Sequence, residues 1–437
     1  MSGRETTAER PSWYDGKHLK EKEFCEAFLQ EHPMVYVNGR FVTKDGCIAD
    51  EMFVRKDIYD MILPYFDYSP SRRVSGLLEA LKMRALVPSP PVHKDRIHVA
   101  NGTLFLNGAF TENKEFCRNR LPVRYDPTAA LPATWLRFLS ELLEAEDIPT
   151  LQEYLGYCLI PTNQGQVMML LKGNGGEGKS RIGIVMHEML GDNVKNGSIA
   201  KVESSPFARA DLEHQLLMVD DDMKMEALKS TSYLRSLITA ETAMDLERKG
   251  EQSYQGKMYA RFLAFSNGDL ESLYDHSDGF YRRQLILSVK KEIAQSHQRL
   301  WSGRQVLCGD RGDLSLVPGG SARLIRNDFR FTESARTKEN RVEARQEADN
   351  VLLFLRSEDY IRLKADSMIT SVDLYAIYTM WCEDNAYKPL ALRTVSMTLK
   401  KYADEFGLEH DNHIMSRTGK RVNGFWGIEA LVAPRDF

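Results

Sequence analysis

Residues 167–186 read VMMLLKGNGGEGKSRIGIVM, and the octet GNGGEGKS inside them fits the pattern G-x-x-x-x-G-K-[ST]. Glycines in such a loop allow successive backbone N–H groups to turn inward around phosphates. Lys179 would place its ammonium against the β- and γ-phosphates, and the hydroxyl of Ser180 would coordinate Mg²⁺. The predicted triphosphate ligands are Gly173, Asn174, Gly175, Gly176, Glu177, Gly178, Lys179 and Ser180. A glycine-rich turn that binds nothing is the alternative.

The residues on either side of the loop support the phosphate-binding interpretation. An apolar run at residues 167–171 precedes the loop, as a buried strand would. Residues 180–190 follow with apolar side chains at Ile182, Val185, Met186 and Met189, which is helical spacing. Strand, loop and helix in this order are the context that the motif requires. The sequence therefore predicts an ATP and Mg²⁺ site in an α/β fold with a parallel sheet.

Composition narrows the class of protein. The chain has 437 residues, 43% of them hydrophobic, and a net charge of −4, so nucleic acid would have to bind at local patches rather than to a globally basic surface. The six cysteines form no C-x-x-C pair and no cluster with histidines, which predicts neither a zinc site nor a disulfide framework and suits a reducing cytoplasm. No apolar stretch approaches the ~18 residues of a membrane span, and the N-terminus is polar rather than signal-like. We expect a soluble cytoplasmic protein with no membrane partner.

A second motif places carboxylates at the end of an apolar strand. Residues 216–222 read LLMVDDD, and such a strand beside a phosphate loop brings one carboxylate near Mg²⁺ and the next near the attacking water. We assign Asp220 to the metal, together with Ser180, and Asp221 to the water. A solvated acidic turn is the alternative.

Two further strands carry candidate catalytic groups. Residues 261–267 read RFLAFSN, where the amide of Asn267 at the strand end could hold the γ-phosphate or the water without adding charge. An Asn-Gly turn without a ligand is the alternative. Residues 280–287 read FYRRQLIL, so Arg282 and Arg283 open a strand. A permanently charged guanidinium from a neighbouring subunit can stabilise the charge that develops during hydrolysis. Two surface arginines without a role are the alternative.

Basic residues in two predicted hairpins are candidates for nucleic-acid contact. In residues 244–257, alternation and two glycines predict a hairpin with a basic tip, and basic tips contact phosphate backbones without identifying bases. In the tail, a helix over residues 394–406 followed by a hairpin over 414–428 is the order of a winged helix. A solvated hairpin and a protein-binding role for the tail remain alternatives. The candidate residues are Arg248, Lys249, Lys400, Lys401, Arg417, Lys420 and Arg421.

Taken in order, these motifs resemble the superfamily III helicases, and within them the helicase half of phage, plasmid and poxvirus primase-helicases. The segments RIHVANGTLFLNG, LPVRYDP and LQEYLGYCL before the loop resemble that family's N-terminal part. DLYAIYTMWCEDNAYKPLALRTVSMTLKK resembles its C-terminal part. The resemblance thus extends over most of the chain and rests on several motifs rather than on the phosphate loop alone.

The resemblance implies a ring-forming AAA+-type motor, usually hexameric, that hydrolyses ATP and draws single-stranded DNA through its centre during replication of a mobile element. It implies five parts: an N-terminal associated domain (1–130), a helical collar (131–165), the AAA+-like P-loop core (166–300), a helical connector (301–365) and a C-terminal winged helix (366–437). Lys179 and Ser180 would hold phosphates and metal, and Asp220 and Asp221 would serve metal and water. Asn267 would be the polar sensor.

The resemblance also implies roles for the basic residues. Arg282 would be the arginine finger, with Arg283 as second choice, and Lys249 would lie on the pore hairpin. Duplex DNA could contact the winged helix, and a separate primase could be a partner, because no primase catalytic domain fits before the helicase segment.

Two residues depart from the family pattern. Asp221 stands where the longer Glu is common, so the water could instead be polarised by Asp222, or turnover could be slow. Glu177 puts a negative charge inside the loop where Asn is frequent. Two other functions therefore stay open: a DNA-binding initiator that uses ATP only as an assembly switch, and a P-loop kinase for a small metabolite, which would need a substrate pocket and a lid.

Overall fold

The computed structural model describes residues 10–47, 50–66, 68–90, 92–129, 133–223, 230–267, 278–290, 318–348, 350–385, 387, 389–416 and 418–434. Its central element is a parallel sheet of five strands in the order β13-β7-β12-β9-β8. The strands are β7 (Met168–Gly173), β8 (Val194–Asn196), β9 (Leu217–Asp220), β12 (Arg261–Asn267) and β13 (Gln284–Ser288). The predicted α/β class is therefore confirmed at the level of a parallel sheet.

Both faces of the sheet are buried, which explains why its strands are almost continuously apolar. Alternate residues of β7 point to opposite faces: Met169 and Leu171 join one core and Met168 and Leu170 the other. Helix α6 (Ser180–Leu190) covers the first face through the apolar residues that the sequence predicted. The second face is covered by short helices, namely α7 (Ile199–Ser204), α8 (Pro206–Ala210), α9 (Ser232–Thr239) and α10 (Asp278–Tyr281).

A collar of helices packs against the sheet on the α6 side. It contains α4 (Ala133–Leu142), α5 (Ile148–Tyr157) and the helix Pro318–Arg326. A buried guanidinium binds the chain at the end of α5, because Arg261 donates to Tyr157 O at 2.8 Å and also to Ile160 O, three residues beyond the helix. Both carbonyls also accept from backbone N–H groups, and the arginine adds a second donor that connects the end of α5 to the start of β12.

The N-terminal part contains two small sheets. The first is β1 (Met34–Val37), β2 (Arg40–Thr43) and β3 (Gly46–Cys47), packed on α1 (Glu21–Glu31), α2 (Glu51–Ile62) and α3 (Pro70–Ala85). The turn between β1 and β2 is an Asn-Gly pair, a dipeptide typical of tight hairpins, with φ of +49° at Asn38 and +78° at Gly39. The second sheet joins β4 (Arg96–Val99), β5 (Gly102–Phe105) and β6 (Phe110–Thr111). It packs on the same core as the collar.

The C-terminal part has its own core, built from helices and a three-stranded antiparallel sheet. Its elements are the helices Ala335–Ala348, Asn350–Leu355, Ser371–Asp384, Leu392–Lys401 and Ala403–Phe406 and the strands β14 (Ile361–Thr370), β15 (Glu409–Met415) and β16 (Arg421–Ala430). The single helix predicted over 394–406 is two helices, because Tyr402 leaves the helical region with ψ of +12°. The predicted hairpin is present and longer than expected.

A small hairpin, β10 (Met244–Leu246) and β11 (Tyr254–Gly256), stands between β9 and β12 in the chain. Among the described helices, none has the length and apolar character needed to cross a bilayer.

Candidate nucleotide-binding site

The predicted phosphate loop lies at the carboxyl edge of the sheet, where three neighbouring strands end together. The register pairs Gly173 at the end of β7 with Asn267 at the end of β12, and Asp220 at the end of β9 with Ala264. Ligands of open α/β sheets bind at this edge, outside the carboxyl ends of the strands. The topology therefore brings the loop, the carboxylates and the amide together, although they are far apart in the sequence.

The loop adopts its shape through glycine. Gly175, Gly176 and Gly178 have φ of +96°, +81° and +96°, values that side chains with a Cβ rarely adopt. The amide oxygen of Asn267 lies over the loop, 3.8 Å from where a Cβ on Gly175 would be. Helix α6 begins directly after the loop, so its free N–H groups and its dipole face the same space.

A cavity of about 340 Å³ opens in front of this loop. Its walls come from the loop, from α6, from the ends of β9 and β12, and from α4 of the collar. It is lined by Phe138, Glu141, Leu142, Gly176, Glu177, Gly178, Lys179, Ser180, Arg181, Ile184, Asp221, Phe265 and Asn267. The structure thus brings together most of the predicted site. The sequence did not point to the α4 residues, which were placed only within the expected helical collar.

Two of these α4 residues face the cavity. The ring of Phe138 lies 3.7 Å from where a Cβ on Gly178 would be, so it closes the cavity beside the loop. Oxygen Oε2 of Glu141 is buried and has no hydrogen-bond partner among the described residues. Such an acceptor is costly to bury unless a donor reaches it.

Glu177 occupies the space that the loop forms for an anion. Its carboxylate accepts hydrogen bonds from the backbone N–H groups of Asn174 and Gly175, the latter at 3.0 Å, and from Lys179 Nζ at 2.8 Å. Burial raises the pKa of Glu177, but the hydrogen bond from Lys179 and those from the backbone outweigh it, so the pKa is lowered. Glu177 is therefore ionised, and its carboxylate holds the donors that a phosphate would use.

Lys179 is the most enclosed charged group of the site. Its side chain is only 4% exposed, against 9% for Glu177. A buried ammonium must be paired, and in this structure Glu177 is that pair. A phosphate oxygen could replace the carboxylate without leaving Lys179 unpaired.

The two carboxylates at the end of β9 point in different directions. Asp221 lines the cavity, whereas Asp220 does not. Asp220 is 5% exposed and accepts a hydrogen bond from Ile199 N at 2.7 Å, at the start of α7 on the other face of the sheet. Burial raises the pKa of Asp220 despite that hydrogen bond. Consecutive strand residues alternate in direction, so Asp221 rather than Asp220 points to the loop, and the assignment of the metal to Asp220 stays a prediction.

The arginine pair lies at the opposite edge of the sheet from the loop. Arg283 O accepts from Met168 N, which fixes the pair at the amino end of β13 beside the start of β7. Arg283 donates to Gly279 O in its own chain, and burial, followed by the nearby Arg282 and Arg235 charges, lowers its pKa. Arg282 is exposed. Five residues of strand separate the pair from the loop, a distance of about 16 Å, so neither arginine joins the cavity of its own chain.

The basic tip of the small hairpin borders a second, larger cavity. That cavity, of about 1250 Å³, is also lined by residues of the two N-terminal sheets and of the sheet core. Arg248 is not free at the tip, because its Nη2 lies 2.6 Å from Glu213 Oε2 and its guanidinium lies over the Tyr254 ring. Lys249 is exposed. Glu213 was missed by the sequence analysis, since it lies 35 residues from Arg248.

The predicted basic residues of the tail lie at the surface. Lys400 and Lys401 end the helix Leu392–Lys401, where both are exposed and Lys401 lies 5.0 Å from the centre of the Tyr402 ring. Lys420 and Arg421 follow the turn between β15 and β16 and are also exposed. Arg417 lies outside the described residues.

Comparison with known proteins gives one family model that matches part of the chain and solved structures of one protein region. A model described as a family of unknown function (DUF5906) matches residues 171–283, from the end of β7 to the arginine pair. No curated protein matches. The chain is similar to the apo structure of the NrS-1 C terminal region, with 12% identity, a TM-score of 0.49, and coverage of 88% of this chain and 86% of that one. An A form apo structure of the same region has 12% identity, a TM-score of 0.46, and coverage of 90% and 88%. At this level of similarity, the function has to be argued from the residues of this chain.

Proposed function

We propose that the protein is an ATP-hydrolysing DNA helicase that assembles as a homo-hexameric ring and translocates on single-stranded DNA during replication of a phage, plasmid or other mobile element. One observation carries the proposal: loop, Lys179, Ser180, Asp221 and Asn267 surround a single cavity at the carboxyl edge of a parallel sheet. The order of the sequence motifs along the chain supports the superfamily III, AAA+-type assignment.

In this proposal the loop N–H groups and Lys179 bind the β- and γ-phosphates once Glu177 has turned away. The oxygens of Ser180 and Asp221 fit Mg²⁺, which prefers oxygen ligands, and both line the cavity. When bound, Mg²⁺ would neutralise charge on the phosphate oxygens. Asn267, beside the loop, orients the γ-phosphate or the attacking water through its amide. Asp222, next to Asp221 and exposed, remains the alternative for polarising that water.

The arginine finger acts on a neighbouring subunit. Because Arg282 lies at the sheet edge opposite its own cavity, it can reach a triphosphate only in another chain, and this geometry favours a ring over a monomer. Arg282 is a better finger than Arg283, since it is exposed whereas Arg283 is bonded to Gly279. The same arrangement argues against a small P-loop kinase, which completes its site within one chain.

DNA contact is assigned to the basic hairpin tip and to the tail. Lys249 is the first choice at the pore, because Arg248 is already paired with Glu213. The tail has helix, helix and hairpin in the order of a winged helix, so Lys400 and Lys401 would approach duplex DNA and Lys420 and Arg421 would touch its backbone. A separate primase would be a partner of such a motor.

Steady-state ATP hydrolysis, with and without single-stranded DNA, tests the proposal. We expect Mg²⁺-dependent hydrolysis that single-stranded DNA stimulates, its loss in Lys179→Ala, and a nucleotide-dependent shift to a larger species in gel filtration. ATP-dependent assembly with no DNA-stimulated turnover would instead identify an ATP-switched initiator, for which the short Asp221 side chain is the motivating observation. A monomer that phosphorylates a small molecule would identify a kinase.

A further inference from the structure

Away from the nucleotide cavity, two histidines and a glutamate converge beside the second N-terminal sheet. His93 precedes β4, His98 lies within β4, and Glu115 follows β6. One ligand atom from each lies within 4.8 Å of the others. The cysteine and histidine spacing gave no reason to expect a metal here, since Glu115 becomes a neighbour only through the sheet.

The surroundings of His98 favour one tautomer. The hydroxyl of Thr103 donates to Asn113 O at 3.2 Å, so its oxygen is available to accept from His98 Nδ1, which lies 3.3 Å away. This arrangement favours the proton on Nδ1 and a lone pair on Nε2. Histidines that bind metals are held in this way, by a hydrogen bond from the second ring nitrogen.

The other ring nitrogen of His98, Nε2, lies next to the second histidine. Nε2 of His98 lies 2.9 Å from Nδ1 of His93. Two nitrogens bound to one tetrahedral zinc ion at about 2.0–2.1 Å stand roughly 3.3 Å apart, so binding would require these two nitrogens to separate by about 0.4 Å and the Glu115 oxygen to move within bonding distance of the ion. A cavity of about 10 Å³ borders both rings, which is the room one water-sized particle needs. His98 is 4% exposed, whereas the Glu115 side chain is 41% exposed, so the site is buried on the His98 side and open to solvent on the Glu115 side.

We propose that His93, His98 and Glu115 bind one Zn²⁺ ion. Two imidazole nitrogens and a carboxylate oxygen suit this metal, and three protein ligands leave a fourth position. Cys117 lines the cavity beside the two histidines and is the candidate for that position. The ion would fix the segment before β4 to the segment after β6. Asn119, further along the segment after β6, donates hydrogen bonds to Asn193 Oδ1 at 2.9 Å and to His214 O at 2.8 Å. These bonds connect that segment to the part of the chain that holds the parallel sheet.

Positive charge nearby makes Glu115 the decisive ligand. Arg96 Nη1 lies 3.2 Å from Glu115, although the same guanidinium is also held by both oxygens of Asp95 at 3.0 Å. Arg118 lines the cavity as well. A dication beside two guanidinium groups needs an anionic ligand, so Glu115→Gln should weaken binding even though its shape is conserved. The competing explanation is that Glu115 serves only Arg96 and that the histidines share one hydrogen bond.

The test is zinc affinity of the full-length protein, freed of metal with a chelator and titrated against a chromophoric zinc indicator. We expect one equivalent of Zn²⁺ per chain, and none at the same concentrations for the double variant His93→Asn/His98→Asn. Thr103→Val, which removes the acceptor for His98 Nδ1 together with the hydrogen bond to Asn113 O, should weaken affinity by ~10- to ~100-fold. His413→Asn, at an exposed histidine paired with Asp411, is the matched control and should bind like wild type.

Co²⁺ substitution gives a second readout that does not depend on stability. A tetrahedral Co²⁺ absorption spectrum that loses intensity in His93→Asn supports the site, and half-buried His93 is the safer variant if the His98 variants do not fold. A sulfur-to-cobalt charge-transfer band that Cys117→Ser removes would assign the fourth ligand to the thiol, and its absence would assign it to water. Failure of the wild type to retain Zn²⁺, or retention by the double variant, would overturn the proposal.

Discussion

Replacing Glu177 with glutamine should tighten ATP binding, because the native carboxylate competes with phosphate for the same donors. Glu177 holds Lys179 Nζ at 2.8 Å and Gly175 N at 3.0 Å, and it also accepts from Asn174 N. Nucleotide can bind only to the fraction of molecules in which this side chain has turned away. The apparent dissociation constant is the intrinsic constant divided by that fraction, so it rises as the fraction falls.

The size of the effect follows from the contacts. A hydrogen bond to a charged group contributes about 1.5–3 kcal/mol and a neutral one about 0.5–1.5 kcal/mol, so each bond weakens by about 1 kcal/mol when the charge is removed. Three bonds are affected, and rehydration of the released carboxylate already offsets part of their strength in the native protein. We therefore expect a net change of about 1–2 kcal/mol, which is ~5- to ~30-fold tighter binding of Mg-ATP.

Isothermal titration with a slowly hydrolysed ATP analogue measures this change. Glu188→Gln is the matched control: Glu188 is exposed on the same helix, eight residues beyond Ser180 and about 12 Å from the loop, and its variant should bind like wild type. The pKa of Glu177 is lowered, so the ion pair forms fully above the ordinary carboxyl range and is lost only as pH falls through the lowered value. The ratio of the Mg-ATP dissociation constants of wild type and Glu177→Gln should therefore stay constant from pH 6 to 8. Unchanged or weaker affinity would refute the competition.

Three other substitutions test separate parts of the structure. Asp221→Asn should lower ATP turnover by ~10²-fold or more, whereas Asp220→Asn should not. Burial raises the pKa of Asp220, so its ionisation lowers the stability of the folded state as pH rises above the ordinary carboxyl range. Asp220→Asn should therefore be at least as stable as wild type at pH 7 by urea denaturation. Equal loss of turnover in both variants would instead support Asp220 as the metal ligand. Arg261→Met should lower the free energy of unfolding by about 3 kcal/mol, since it removes two buried hydrogen bonds from a charged donor to Tyr157 O and Ile160 O; a urea midpoint near wild type would contradict this. Lys249→Ala should remove most of the DNA stimulation of hydrolysis and lower the salt slope of DNA binding by about 1, whereas exposed Lys257→Ala should not.

The features that the sequence predicted best are those that neighbouring residues determine. Glycine at three loop positions encodes positive φ directly, and the Asn38–Gly39 turn does so for the first hairpin. Apolar periodicity located the strands and α6, because both faces of the sheet are buried. Even the convergence of Lys179, Asp221 and Asn267 follows from the rule that parallel strands end at one edge.

Features that depend on side-chain direction or on distant contacts could not be predicted. Which carboxylate of the pair faces the loop depends on where β9 ends, and a shift of one residue exchanges Asp220 with Asp221. The Glu177–Lys179 pair depends on how one side chain turns within the loop. Glu141 and Glu213 reach their sites through packing, and no local pattern marks them. The interruption at Tyr402 also lacks a local breaker residue, and nothing in the structure explains it.

Mixing two inactive variants tests the ring motor most directly. Arg282→Ala subunits keep the phosphate loop and Lys179→Ala subunits keep the arginine, so only mixed rings can contain an interface with both. For random mixing in equal amounts, about a quarter of the interfaces are intact, and we expect ATP hydrolysis up to about a quarter of the wild-type rate. No recovery under conditions of subunit exchange, or full activity of Arg282→Ala as a monomer, would contradict the proposal.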